Sequence, residues 1–342
     1  EFGSWTNGLN WGQSNAYDNY YLAHPYLNLI KKGEVTEKEL NDKVRRILRL
    51  VFRTNMAKER HFGSFGTEEH ALAGRTIAQQ GIVLLQNKKN VLPVDASKVK
   101  RVLVVGENAV KRMTVGGGSS SLKAKYEVSP LEGIKARLGD GAEVIYSPGY
   151  ASPAVKEQDV LGAEEPDKME IDADALRNDA VKWAKDADVV FFVGGLNKND
   201  GQDCEGNDRS SLSLPYEQDQ LIAELAKTNP NTVVVIISGN AVAMPWVKQV
   251  PAIVEAWYSG TEAGNALASI LFGDVNPSGK LPFTFPARLE DNGAHALGEY
   301  PGDSINVKYN ESIFVGYRWA DKQKKTKPLF AFGHGLSYTT FA

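Results

Sequence analysis

From residue 67 onward the apolar residues arrive in short unbroken runs. These are "GIVLLQN", "RVLVVGENA", "EVIYSPG", "DVVFFVGG", "TVVVIISG", "AIVEAWY" and "LPFTFP", bounded by glycine, proline and other turn formers. Between them lie segments with apolar residues at helical spacing: "EEHALAGRTIAQQ", "ALRNDAVKWAKDA", "PYEQDQLIAELAKT" and "TEAGNALASILFG". Continuous rather than alternating hydrophobicity marks strands covered on both faces, which a parallel sheet layered by helices requires. The pattern predicts an α/β fold: a layered α/β sandwich with a mostly parallel sheet.

The first sixty residues read differently. "AYDNYYLAHPYLNLI" is tyrosine-rich and partly helical in period, with Pro25 as an interruption. "TEKELNDKVRRILRLVF" is the clearest helix in the chain. Thr36 and Glu39 have the spacing of a capping box, in which each side chain satisfies the other residue's backbone donor. Leu40, Val44, Ile47, Leu48 and Val51 fall on one face, and that face needs a partner surface. The polar connector "AKERHFGSFG" that follows is the natural domain boundary, and the acidic stretch "EQDVLGAEEPDKMEID" reads as an exposed insertion.

Composition narrows the function classes. Length, 342 residues, is enough for two domains or one domain with a large attachment, and 42% hydrophobic with 24% charged residues is the balance of a globular protein. A net charge of −3 without a basic block gives no footprint for nucleic acid or an anionic membrane, and no apolar run reaches the length of a membrane span. One cysteine, Cys204, leaves no internal disulfide framework and no cysteine-based zinc cluster. The chain opens without an initiator methionine or a signal-peptide pattern and stops in an aromatic stretch, which reads as an interior piece of a longer polypeptide.

In sheets of this kind functional loops leave the carboxyl ends of the strands. Two long loops do so, "GENAVKRMTVGGGSSSLKAKYEVSP" after Val105 and "LNKNDGQDCEGNDRSSLSLP" after Gly195, and the pattern places both on one rim. The first lacks the spacing of a phosphate-binding loop and of a dinucleotide fingerprint. It reads as a flexible surface loop or as a close wall for a polar ligand. The five histidines are scattered without ligand spacing, and no G-x-S-x-G elbow is present. Cys204, between Asp203 and Glu205, reads as inert, because neighbouring carboxylates disfavour a thiolate. Asp208 and Arg209 read as an ion pair or loop staple. Glu205 is left as the candidate reactive acid, against the plainer reading of a solvated loop charge.

The collinear series "KVRRILRLVFR", "EEHALAGRTIAQQGIVLLQNKKNVLPV", "GGGSSSLKAKYEVSPLEGI", "CEGNDRSSLSLP", "SGNAVAMPW", "WYSGTEAGNALASILFGDVNPSGKLPFTFP", "FVGYRW" and "FAFGHGLSYTTF" resembles glycoside hydrolase family 3, the β-glucosidase and β-xylosidase group. The resemblance covers essentially the whole chain. It implies that the sandwich is preceded by the C-terminal tail of a (β/α)8-type barrel: residues 1–56 as that tail, 57–66 as linker and 67–342 as the sandwich. It further implies a retaining exo-acting hydrolase, most simply a β-glucosidase, that needs no metal or cofactor. A β-xylosidase, or a non-catalytic sugar-binding or scaffold fragment, is the alternative. Glu205 falls on the general acid/base of the E-G-x-D-R motif. The nucleophile is an aspartate in a Ser-Asp-Trp context, and no such tripeptide occurs here. It is therefore expected upstream of this chain, on the missing N-terminal barrel polypeptide.

The implied partners are a β-linked oligosaccharide or glucoside substrate and that barrel. Neither nucleic acid nor a membrane is implied, a homo-oligomer stays open, and the family's habit points to a secreted or periplasmic protein. Two sets of flanking residues have two readings each. Trp5 and Trp11 either stack on sugar faces near the barrel rim or pack in a core. Arg112 and Met113 either border an aglycone site or are an exposed base and a packing methionine.

Overall fold

The computed structural model describes residues 22–54, 63–114, 122, 124–152, 172–198, 201–204, 208–303, 305–323 and 327–340. The chain divides into two compact units, Glu1–Phe65 and Gly66–Ala342.

Among the described residues of the first unit are two helices, α1 (His24–Lys31) and α2 (Glu37–Thr54). Pro25 does not interrupt a helix but stands in the first turn of α1, where its fixed φ suits the helix and its missing N–H costs nothing. The expected capping box opens α2: the Thr36 N–H donates to Glu39 Oε2 at 2.8 Å and the Glu39 N–H to Thr36 Oγ1 at 3.3 Å. Val44, Ile47 and Leu48, on its apolar face, are all exposed.

The second unit is built on six strands, β1 (Val83–Asn87), β2 (Arg101–Val105), β3 (Glu143–Ser147), β4 (Val189–Gly195), β5 (Thr232–Ile237) and β6 (Ala252–Glu255). Their order across the sheet is β1-β6-β5-β4-β2-β3. Every neighbouring pair is parallel except the edge pair of β1 with β6. Helices α3 (Glu68–Gly81), α4 (Pro130–Leu138) and α7 (Ala263–Leu271) cover one face, and α5 (Ala173–Ala184) and α6 (Gln218–Thr228) the other. Successive strand residues point to opposite cores. Val102, Val104, Phe191, Val193, Val233 and Val235 meet Ile134, Leu138, Leu267 and Ile270. Leu103, Val105, Val190, Phe192, Val234 and Ile236 meet Ala180, Leu221, Ile222 and Leu225. Both faces of β4 and β5 are buried along their whole length, which is why these runs are apolar throughout.

Two elements differ from the pattern. Helix α4 follows no obvious apolar period. It is started by Ser129, whose Oγ accepts the Glu132 N–H at 3.3 Å while Glu132 Oε2 accepts the Ser129 N–H at 2.7 Å, with Pro130 in the first turn. "LPFTFP" forms no ladder strand. Pro282 and Pro286 lack the donors a ladder needs, so the run holds to the C-terminal segment at two points, Phe285 as an isolated antiparallel bridge to Phe330 and Leu281 by bonds to His334 O at 2.9 Å and from the Gly333 N–H at 2.8 Å. Two short helices, α8 (Gly293–Ala296) and α9 (Tyr317–Lys322), lie in the C-terminal segment. The free side of β1 is met by that same segment: Leu336 bridges Leu84 antiparallel, its N–H donating to Leu84 O at 2.8 Å.

Candidate functional site

The strand order reverses direction at β2. From there the chain moves outward to β3, then returns across β2 to β4 and proceeds to β5 and β6. Ligands of open α/β sheets bind where order reverses, beyond the carboxyl ends of the strands. The loops leaving β2 and β4 therefore emerge side by side, with Val105 in register with Phe192. Each loop opens on a glycine that the sheet demands. Gly106 has φ +121°, and a Cβ there would lie 2.1 Å from Val193 O. Gly195 has φ +118°, and its Cβ would lie 2.3 Å from Ile237 O. The buried Asn108 joins the two loop bases, its Nδ2 donating to Leu196 O at 2.9 Å.

The loop after β4 is fixed on both sides of Glu205. Upstream, Asp203 is a hub. Its Oδ2 accepts the Gly239 N–H at 2.6 Å and the Tyr258 hydroxyl at 2.8 Å, and its Oδ1 accepts Asn240 Nδ2 at 2.5 Å. Gln202 supports this turn, accepting the Asn197 N–H at 2.9 Å and donating to the Tyr216 hydroxyl at 2.9 Å. Downstream, Arg209 donates through Nη2 to Asn240 Oδ1 and to Ala241 O, the latter at 2.6 Å. The expected Asp208–Arg209 pair is thus split. Asp208 accepts from the Tyr300 hydroxyl, and Arg209 staples its loop to the turn after β5.

Beneath this turn lies a fully buried carboxyl, Glu255, whose pKa burial pushes well above the carboxylate range. It accepts the Trp257 N–H at 3.1 Å and lies 3.3 Å from Ser238 Oγ. A neutral Glu255 donates to Ser238 Oγ, and the serine hydroxyl is then free to donate to Asn240 O at 2.8 Å. Burial also raises the Tyr258 phenol, with Asp203 adding to the effect, so this hydroxyl stays a donor. The Lys198 ammonium sits 4.2 Å from the centre of the Tyr258 ring. Arg209 is partly buried, its Nη1 has no hydrogen-bond partner among the described residues, and burial draws its pKa down.

Arg112 and Met113 come to the same rim. They line a cavity of about 30 Å³ together with Glu127, Tyr258 and Ser259, room for a water and not a sugar. Arg112 is exposed, and Met113 is half-buried against the core. Glu205, Trp5 and Trp11 lie outside the described residues. The supporting residues that sequence reasoning missed, Asp203, Asn240, Glu255 and Tyr258, carry no local signal. The bonds of Asp203 to the turns after β5 and β6 span 36 to 55 positions, and Glu255 reaches Ser238 across 17. Only the "SGNA" and "WYSG" stretches, noted for their resemblance, pointed at two of these turns.

The family model for the glycosyl hydrolase family 3 C-terminal domain matches residues 82–338. The chain belongs to glycoside hydrolase family 3. Beta-glucosidase BoGH3A of Bacteroides ovatus is 52% identical over all of this chain, which spans 46% of that protein. An exo-alpha-(1->6)-L-arabinopyranosidase of Bifidobacterium breve is 32% identical over 98% of the chain and 42% of its own length. Among solved structures, the family 3 chain superposes on DesR, a beta-glucosidase from Streptomyces venezuelae in complex with D-glucose. The TM-score is 0.81 at 29% identity, covering 94% of this chain and 52% of that one. The chain spans about half the length of the curated relatives it matches.

Proposed function

We propose that this chain carries the acid/base half of a retaining β-glucosidase. Glu205 acts as the general acid and then the general base, and the nucleophilic aspartate comes from a barrel outside these 342 residues. Residues 1–56 are then the barrel's tail. The observation that carries the reading is the double attachment of the Glu205 loop, by Asp203 and Arg209, to the Asn240 turn at the switch-point rim. Its support is family membership and the β-glucosidase names of relatives.

The chemistry follows from the layout. Retention needs two carboxyl groups about 5–5.5 Å apart, one attacking the anomeric carbon and the other protonating the departing oxygen. A loop on a second unit supplies the acid without disturbing the pocket that binds the sugar. Once the glycosyl-enzyme has formed, Glu205 takes a proton from water, and the resulting hydroxide equivalent releases the sugar. Trp5 and Trp11 would offer ring faces to the sugar, and Arg112 and Met113, with Tyr258, the border of the leaving group.

Replacing Glu205 with Ala in the full-length enzyme is expected to lower kcat/KM for cellobiose by on the order of 1,000-fold, within the range of a lost general acid. Dinitrophenyl glucoside, whose leaving group needs no proton, is expected to lose far less, with azide restoring turnover. Equal loss on both substrates would remove Glu205 from this role. A second reading of the sugar, an α-L-arabinopyranoside, is favoured by the Bifidobacterium relative, and comparing kcat/KM on the two nitrophenyl glycosides decides between them.

A further inference from the structure

The carboxylate of Asp203 is joined to three donors from two separate turns, those following β5 and β6, all within 2.8 Å. A surface charge serving only solubility has no use for such convergence. Ionised acceptors holding several protein donors are among the stronger tethers available to a loop. The Asn240 amide is shared between the flanks of Glu205, Nδ2 to Asp203 and Oδ1 to Arg209, so one side chain ties both flanks to the same turn. Tyr258 adds a second connection. Its hydroxyl holds Asp203, and it borders the small cavity that Arg112 and Met113 also line, so one residue is bonded to one rim loop and faces the same cavity as the other. Its own placement is forced: Trp257 before it has φ +56°, a left-handed conformation uncommon for a bulky residue, held by its N–H bond to Glu255 and its indole bond to Gly81 O at 2.9 Å.

We propose that Asp203 and Tyr258 are a positioning pair that sets where the acid/base of this enzyme points. The inference rests on the reading of Glu205 given above. Two residues span at most about 7 Å of extended chain, so Asp203 limits how far Glu205 can stray from the Asn240 and Tyr258 turns. A displacement of about 1 Å at a reacting group costs on the order of 100-fold in rate. Asp203→Asn puts an amide donor among three donors, and Tyr258→Phe removes one donor while keeping the ring.

Both variants and Glu205→Ala are tested together in the full-length enzyme, each confirmed as folded by its thermal transition. Asp203→Asn is expected to lower kcat/KM for cellobiose on the order of 100-fold, and Tyr258→Phe about 10-fold. Each should lower it less than about 3-fold for dinitrophenyl glucoside, with the loss in kcat rather than KM. A purely structural role would depress both substrates alike. That outcome, or unchanged kinetics in Tyr258→Phe, overturns the proposal. Glu205→Ala separates the two levels. Should it show the leaving-group signature while the pair's variants do not, the positioning role alone fails. Should it lack the signature, the acid assignment fails and the pair's role falls with it.

Discussion

The two rim loops close their necks in different ways. At the glycine-rich loop, the Thr114 N–H donates straight across the neck to Glu127 Oε2 at 2.9 Å, and the return strand is tied outward, Val128 N–H to Thr261 O at 2.8 Å and the Tyr126 hydroxyl to Glu262 Oε1 at 2.7 Å. At the loop of Glu205, Asp203 and Arg209 do not meet; both bind Asn240, which belongs to the turn after another strand. A neck bridged directly and tied outward on one strand has its width fixed by its own residues. One whose two strands both bind the same outside side chain has width and direction set together. The second arrangement suits a carboxyl with the reacting role proposed for Glu205, which must be held within a fraction of an ångström.

The strongest way to break this comparison is at the base the loops have in common. Gly195→Ala places a methyl 2.3 Å from Ile237 O on a backbone with φ +118°. It is expected to destabilise the sandwich by about 3 kcal/mol or more, read from denaturant unfolding. Gly106→Ala, whose methyl would meet Val193 O at 2.1 Å, should be as severe. Equal losses would place the distinction between the loops in their necks and not in their stems.

The next effect is on pH. Glu255 stays neutral in the fold, whereas in the unfolded chain it ionises near its ordinary value of 4.5. Only the unfolded state therefore gains from deprotonation, and this residue makes stability fall as pH rises above 4.5. The slope is at most about 1.4 kcal/mol per pH unit, until the folded pKa is reached. Glu255→Gln keeps the geometry, since the amide oxygen accepts from Trp257 and the amide nitrogen donates to Ser238. It should stabilise the protein at pH 7 relative to pH 5, measured as the difference in unfolding free energy between variant and parent. No change in slope would show that Glu255 is ionised beneath the turn.

The mildest change sharpens the contrast. Glu127→Gln leaves an acceptor for Thr114 at the edge of the rim, and a weaker neutral hydrogen bond there should cost about 0.5 kcal/mol. A melting-temperature shift as large as that of Asp203→Asn would show that the directly bridged neck is held as firmly as the one joined through Asn240.

What was legible in the sequence follows the range of the forces involved. Strands buried on both faces are apolar throughout, so β2, β4 and β5 stand out in the chain, and the Thr36–Glu39 cap is written in four residues. The placement of both loops on one rim also follows from the parallel reading. Helix α4 does not stand out in the hydrophobic pattern because its signal is a cap, Ser129 with Glu132, and not a period. The run 281–286 looked like a strand because hydrophobicity alone does not register the donors lost at Pro282 and Pro286. The supports around Asp203 were hidden for a different reason. A carboxylate two positions from another reads as surface charge, and what makes it a hub is Tyr258, 55 residues away.

One feature at the far side of the sheet bears on how the molecule behaves in solution. Leu336, bridging Leu84, covers hydrogen-bonding groups along β1 that would otherwise face outward. Clipping the tail before residue 334 would uncover a template on which a second copy could extend the ladder. Leu336 and its neighbours thus screen that edge of the sheet from another strand.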